Sequence, residues 1–335
     1  MPTTSTHAVP DRNVRIGVGM LVLYVAWGST YLAIALAVRD IPPFLMAGVR
    51  FGLAGFILVG WQLARERRDI QWPSRREWRD SAIVGALLLG GGMGMVSFAE
   101  QTVPSGIAAL MVSLMPVWIA ILGAAVFHER LPRLAGLGIV VGFIGVAILV
   151  APSVLGTTGA LDPIGLVALL ISPLCWSVGS IFASHRARLP RRPLMASAAQ
   201  MVTGSLVLLA MGVLAGEPSR FAIGSVGAAS LFGFLYLVVV GSLLAFTTFG
   251  WLLRNAPLPL ISTYAYVNPV VAVILGAILL GEPVEPRLVV AGGVIVAGVA
   301  LIVTARGRMA RPSTAAETDR TATLPAPAPT TEAAV

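Results

Sequence analysis

Arg50 stands inside the apolar run 44–64, Glu100 near the end of the run 81–103, and Asn268 within the run 258–281. Water is scarce in such surroundings. A charged side chain left in hydrocarbon costs on the order of 2.5 to 3.5 kcal/mol, and a buried carboxamide needs partners, so all three must face protein, water or a bound solute. Their chemistry is recognition: an arginine anchors an anionic group, a carboxamide donates and accepts, and a buried carboxyl takes up or releases a proton. Arg50 and Glu100 lie at comparable depth, about 10 Å in from one end by helical rise. They read either as an anion anchor or gate, or as a fixed ion pair joining two helices.

Rings accompany these groups. Tyr24, Trp27 and Tyr31 share one helical face, Trp176 and Ser180 another, and Tyr264 lies in line with Asn268. Paired tryptophans either fill a core or wall a cavity suited to organic cations, aromatics or amino acids. Gly90, Gly94, Ser97 and Glu100 or Gln101 also share a face, open either to close helix contact or to cargo. Pro116 and Pro269 each free a carbonyl one turn back and mark two bendable points, or two kinks that only improve helix contact. Ser113 and Ala109 accompany the first, and Ser262 and Tyr266 the second.

Covalent catalysis finds little support. All 23 basic residues are arginine, which excludes a P-loop lysine, a Schiff base and a pyridoxal-phosphate attachment. His7, His128 and His185 are scattered, no metal cluster is visible, and Cys175 is the one cysteine. No cofactor is expected.

The elements that position these residues follow from composition. The chain is 57% hydrophobic and 11% charged, with a mean hydropathy of +0.88, far too apolar for a soluble protein of 335 residues. A span needs about 20 apolar residues. Ten such runs are present, near 16–37, 44–64, 81–103, 105–127, 134–151, 163–183, 194–215, 228–252, 258–281 and 287–305. Arg12 and Arg15 precede the first, whose length marks a retained helix and not a cleaved signal. With both termini cytoplasmic, 19 arginines fall inside and three outside (Arg39, Arg220 and Arg287), while the last is Arg50 itself. That is the positive-inside pattern, and it accounts for the net charge of +8 without nucleic acid. The cluster from Arg65 to Arg79 anchors topology and can touch anionic lipid. Residues 1–13 and 306–335 lack apolar content and are expected to be disordered cytoplasmic tails.

The chain is written twice. Pro104, Pro116, Gly123, Glu129 and Gly145 fall in step with Pro257, Pro269, Gly276, Glu282 and Gly298, while Trp27 answers Trp176, Pro43 answers Pro193 and Arg50 answers Gln200. Five is odd, so the second quintet enters the membrane from the opposite side. The expected fold is an all-α integral membrane protein of ten transmembrane helices in two inverted repeats, 14–151 and 160–305, with a site between them near the midplane. Glu129 and Glu282, at opposite faces, are expected to be exposed ends paired with Arg133 and Arg287. Gly48 to Gly52, Gly138 to Gly142 and Gly293 to Ala297 are expected as close-contact seams.

Four motifs carry a resemblance: Trp27-Gly28-Ser29-Thr30-Tyr31, Met46-Ala47-Gly48-Val49-Arg50-Phe51, Val103-Pro104-Ser105-Gly106-Ile107-Ala108-Ala109, and the stretch Ser262 to Val273 with Gly281-Glu282. Together they resemble the EamA family of the drug/metabolite transporter superfamily, most closely its YedA-like bacterial inner-membrane members, over residues 12 to 305. The resemblance implies a central cavity lined by spans 1, 3, 4, 6, 8 and 9, and alternating-access export of small metabolites, amino acids or drugs. The expected substrate site is Trp27, Tyr31, Ser97, Glu100, Trp176, Tyr264 and Asn268; Arg50, Glu100, Pro116 and Pro269 form the expected gate or ion pair. Glu100 is the candidate for proton coupling. The expected partners are a small-molecule substrate and the lipid bilayer, and a homodimer is left open. A membrane-embedded transferase acting on a lipid-borne substrate is the rival, but it needs clustered Asp, His or metal ligands at a membrane face. A channel is disfavoured by the inverted repeat.

Overall fold

A computed structural model describes residues 12–65, 71–128, 132–154, 161–256, 258–261 and 263–309. Among these residues, nine helices are long and apolar enough to span a bilayer, and a tenth is apolar but shorter. In chain order they are α1 Arg12–Ala37, α2 Pro43–Arg65, α3 Arg75–Ala99, α4 Ser105–Val126, α5 Arg133–Ala151, α6 Pro163–His185, α7 Pro193–Leu214, α8 Ala228–Leu252, α9 Tyr264–Leu280 and α10 Pro286–Ala305. Proline opens α2, α6, α7 and α10, where its missing N–H removes no helical bond. Ser74 and Glu77 cap α3 reciprocally: Ser74 Oγ accepts the Glu77 N–H at 3.3 Å and the Glu77 carboxylate accepts the Ser74 N–H at 2.7 Å. Helix already begins at Arg12 and continues to Met309, beyond the apolar runs at both ends.

Helix contacts repeat across the two halves. Helix α1 lies against α8 and α9, and α6 lies against α3 and α4; α2 pairs with α7, and α5 with α10. Small residues make the last two pairs close. A Cβ on Gly48 would lie 2.8 Å from the Leu209 side chain, and one on Gly298 would lie 2.6 Å from Gly142 N and 2.7 Å from Gly138 O. Gly293, expected in that second seam, faces open space, and Gly298 takes its place.

Polar ties hold the helix ends. On the face opposite the termini, Asp40 accepts the Gly227 N–H at 2.9 Å and the Ser230 hydroxyl at 2.8 Å, and Glu217 accepts the Phe44 and Leu45 N–H groups that open α2. On the terminal face Asp80, which corresponds to Ser230 in the repeat, accepts the Arg188 N–H at 2.8 Å. The same tie is made twice with donor and acceptor interchanged.

Two expectations about the loops need correction. Glu282 is half-buried and caps α4, accepting the Ser105 N–H, the Ser105 hydroxyl and the Gly106 N–H; Arg287 pairs instead with Glu285 at 3.1 Å. The orphan N–H groups of a helix start attract a carboxylate more strongly than a solvated arginine does. Glu129 and Ser262 lie outside the described residues.

Local departures from α-geometry shape the centre. Helices α3 and α8 each contain a π-helical stretch, Ala86–Gly94 and Leu237–Leu244, at equivalent points of the two repeats. Such a turn inserts a residue and rotates the rest of the helix by about 100° relative to a regular one. Helix α4 breaks at Ser113–Leu114 and resumes at Met115 with Pro116 in its first turn, whereas Pro269 lies within α9.

Candidate functional site

Trp27 occupies the middle of α1, beside Gly28. A Cβ on Gly28 would lie 2.6 Å from the Val271 Cβ, so this glycine lets α1 and α9 approach closely enough for their rings to meet. Trp27 and Tyr264 stand edge to face with centroids 5.1 Å apart, Phe249 lies 5.0 Å from Trp27, and Trp176 meets Trp27 edge-on at 6.2 Å. The two repeat-related tryptophans therefore touch. On the terminal side of these rings Met20, Leu23, Leu252 and Ile261 form a buried apolar cluster.

Beside the rings lies a cavity lined by residues of α1, α2, α3, α4, α6, α8 and α9. Its wall includes Trp27, Tyr31, Trp176, Tyr264, Asn268 and Pro269 from the expected site, and also Arg50 with Phe51. Helix α2 thus joins the six spans expected to line it. Arg50 is only 1% exposed. Its Nε donates to Ser242 Oγ at 2.8 Å and its guanidinium lies 4.6 Å from the Phe51 ring centre, but Nη1 has no hydrogen-bond partner. Gly241 makes room for it, since a Cβ there would lie 2.8 Å from Nη2. Asn268 is buried and its Oδ1 is likewise unbonded. Two buried polar side chains in one cavity wall mark a place for a ligand or water.

Three expected residues lie elsewhere. Ser97 is buried outside the lining and donates to the Met93 carbonyl at 3.0 Å. The π-helical stretch of α3 turns the Gly90 and Gly94 face onto Val207 and Leu208 of α7, and brings Met93 and Val96 to the cavity. Pro116 is buried behind the wall that Ser113 and Met115 form. Glu100 is 6% exposed and outside the lining, and no side chain bonds its carboxylate; the Ala35 N–H, Tyr31 and Glu282 lie within its electrostatic range. The expected pair with Arg50 is not formed. Equal depth does not bring side chains together when their helices present different faces.

Sequence reasoning overlooked Gly241 and Ser242, which hold Arg50, and Phe249, which completes the ring cluster. A signal existed for the first pair, because Gly241-Ser242 stands in step with the glycine run Gly90 to Gly92 in the other repeat.

Two mirrored sets of helices around an aromatic-walled central cavity with buried polar side chains are the anatomy of a solute carrier. Comparison with known proteins agrees. The model of the EamA-like transporter family matches residues 15–151 and again 163–304, and the chain belongs to that family. It is 38% identical over 287 residues to the "Uncharacterized inner membrane transporter YedA" of Escherichia coli K12, covering 84% of this chain and 89% of that one. It is 27% identical over 293 residues to a "Probable amino-acid metabolite efflux pump" of Salmonella typhimurium, covering 83% and 91%. A solved crystal structure at 20% identity superposes with a TM-score of 0.61 over 90% of this chain and all of that one, which shows the shared fold.

Proposed function

We propose that this transporter exports a small organic solute across a bacterial inner membrane by alternating access, with both termini in the cytoplasm, and that it carries out no chemistry on its cargo. The observation that carries the reading is the central cavity where the repeats meet, walled by Trp27, Tyr31, Trp176 and Tyr264 together with the buried polar side chains of Arg50 and Asn268. The arginine asymmetry supports the orientation, and the efflux name of the Salmonella relative supports the direction. Pro116 and Pro269, one in each repeat, serve as the points about which the halves flex. Glu100 serves as the proton-linked group: its carboxyl is buried with no side-chain partner, and keeping a charge there without a counter-ion costs several kcal/mol.

The test is solute counterflow in proteoliposomes. Trp27→Ala and Asn268→Ala abolish it, whereas Arg65→Ala, on the terminal face, leaves it intact; loss in Arg65→Ala alone moves the site to the loops. Flux with and without a pH gradient separates coupling from exchange, and equal gradient-driven flux in the parent and Glu100→Gln removes Glu100 from coupling. Cysteines placed at 75 and 191 react with an impermeant label from the same side of the membrane, and opposite sides would end the inverted-repeat reading.

A further inference from the structure

We infer that the terminal face carries a seat for the phosphodiester headgroup of an anionic phospholipid, in a notch between the start of α3 and the start of α7. The inference is independent of the transport reading and goes beyond orientation. Orientation asks only that arginines lie on one face of the membrane. Here they also crowd to one flank of that face. Of the thirteen arginines in its helix connections, six lie in 65–80 and four in 186–192, whereas the connection between α4 and α5 has Arg130 and Arg133, and that between α8 and α9 has Arg254 alone. Four carboxylates accompany the ten, which leaves a surplus of six positive charges.

The notch has a fixed frame. Asp80 accepts the Arg188 N–H at 2.8 Å and pairs with Arg79 at 2.8 Å, and Glu77 accepts the Ser74 N–H, so the two carboxylates described in these segments are engaged by donors of the fold itself. Deeper in the membrane, a Cβ on Gly85 would lie 2.6 Å from the Gln200 carbonyl, which sets α3 and α7 in close contact. Between their starts, Trp72, Glu77, Arg191 and Arg192 line the notch above the buried Met195. Two guanidiniums beside one held carboxylate favour a phosphate over a neutral group.

The surroundings are those of a membrane border. Trp72, and Trp61 near the end of α2, are both more than half exposed, and the Arg65 guanidinium lies 5.0 Å from the Trp61 ring centre. Exposed tryptophans at the ends of spans sit at headgroup level. On α3 an exposed stripe runs from Arg76 and Arg79 to Ile83, from charge to hydrocarbon within two turns. A lipid whose phosphate meets the arginines therefore has apolar surface below it for its acyl chains, which a soluble phosphate cannot use.

The test uses the purified full chain in neutral detergent, titrated with dioleoylphosphatidylglycerol or dioleoylphosphatidylcholine. Retained lipid is counted by native mass spectrometry, and folding is followed by melting temperature. One phosphatidylglycerol is retained about tenfold more tightly than phosphatidylcholine, and millimolar inorganic phosphate does not displace it. Each arginine at an anionic surface favours binding about fivefold, so Arg191→Gln with Arg192→Gln weakens retention about thirtyfold. Arg191→Lys with Arg192→Lys keeps the charge and most of the binding, which separates lost charge from misfolding. Arg130→Gln with Arg133→Gln removes the same charge from the other flank and changes nothing. If the first glutamine pair melts early without lipid, Arg75→Gln with Arg76→Gln, both exposed, takes its place and weakens retention likewise. Equal retention of the two lipids, equal weakening by the glutamine pairs of the two flanks, or unchanged retention in a folded Arg191→Gln, Arg192→Gln chain each overturns the inference. Displacement by inorganic phosphate makes the notch a soluble-anion site and overturns it too.

Discussion

Glu282 offers the sharpest perturbation, because the structure and the sequence pattern assign it different partners. Its Oε1 accepts the Ser105 N–H at 2.9 Å, and its Oε2 accepts the Ser105 hydroxyl at 2.9 Å and the Gly106 N–H at 3.3 Å. A carboxylate there satisfies the orphan donors of α4 and sits at the positive end of the helix dipole. The capping contribution is about 0.5–2 kcal/mol and the dipole adds about 0.3–1, so Glu282→Ala costs about 2 kcal/mol in the first turn of α4. Local opening there then rises roughly thirtyfold, which hydrogen exchange of the amides following Pro104 reads directly. Gly276→Ala attacks the same contact from the other side, since its Cβ would lie 2.5 Å from Oε2 and 2.9 Å from Ser105 Oγ. Both changes break one contact, so the double variant costs about as much as the worse single one. Arg287→Ala leaves exchange in α4 unchanged. Additive losses in the double variant, or a larger effect from Arg287→Ala than from Glu282→Ala, refute the capping argument.

Ser242→Ala removes the protein partner of the Arg50 Nε and costs about 1.5–3 kcal/mol, measured as a lower melting temperature in detergent, with Ser242→Thr retaining part of it. Gly298→Ala forces α10 away from Gly138 and Gly142 and costs about 1–3 kcal/mol, whereas Gly293→Ala, facing open space, costs nothing measurable. The Gly227 N–H first, and then the Ser230 hydroxyl, hold the Asp40 carboxyl below its usual range, and Thr102 followed by the Ile164 N–H does the same for Asp162. A depressed folded-state value adds stability above the unfolded-state value that is lost as pH falls through the depressed one. Melting temperature therefore drops on acidification below about pH 4, and Asp40→Asn flattens that limb.

What was legible in the sequence is what length and composition alone decide. An apolar run near 20 residues needs no partner to declare itself a span, and Arg50 and Asn268 stand out because their surroundings punish them. What required the structure is azimuth. No residue type encodes the π-helical stretch of α3, yet that turn decides that Met93 and Val96 face the cavity while Ser97 bonds its own helix. Depth placed Arg50 level with Glu100, but Ser242, 192 positions along the chain, is what the guanidinium meets. Glu282 looked like a solvated end because the helix start that it caps is 177 residues away. Each miss concerns which face of a helix meets which neighbour, a matter that no local spacing settles.

The mirror in the fold and its breaking at the site do different work. Helices α1 with α9 and α6 with α4, the π-helical stretches of α3 and α8, and the ties Asp40–Ser230 and Asp80–Arg188 make each half a counterpart of the other. Two arrangements that exchange the roles of such halves differ little in energy, and a carrier needs that near-equality to visit both. A bound solute shifts the balance only by what it contacts differently in each. Those differences sit where the repeat fails: Arg50 against Gln200, and Asn268 against Met115. Symmetry keeps the two states accessible, and the unmatched guanidinium and carboxamide give a cargo something to distinguish.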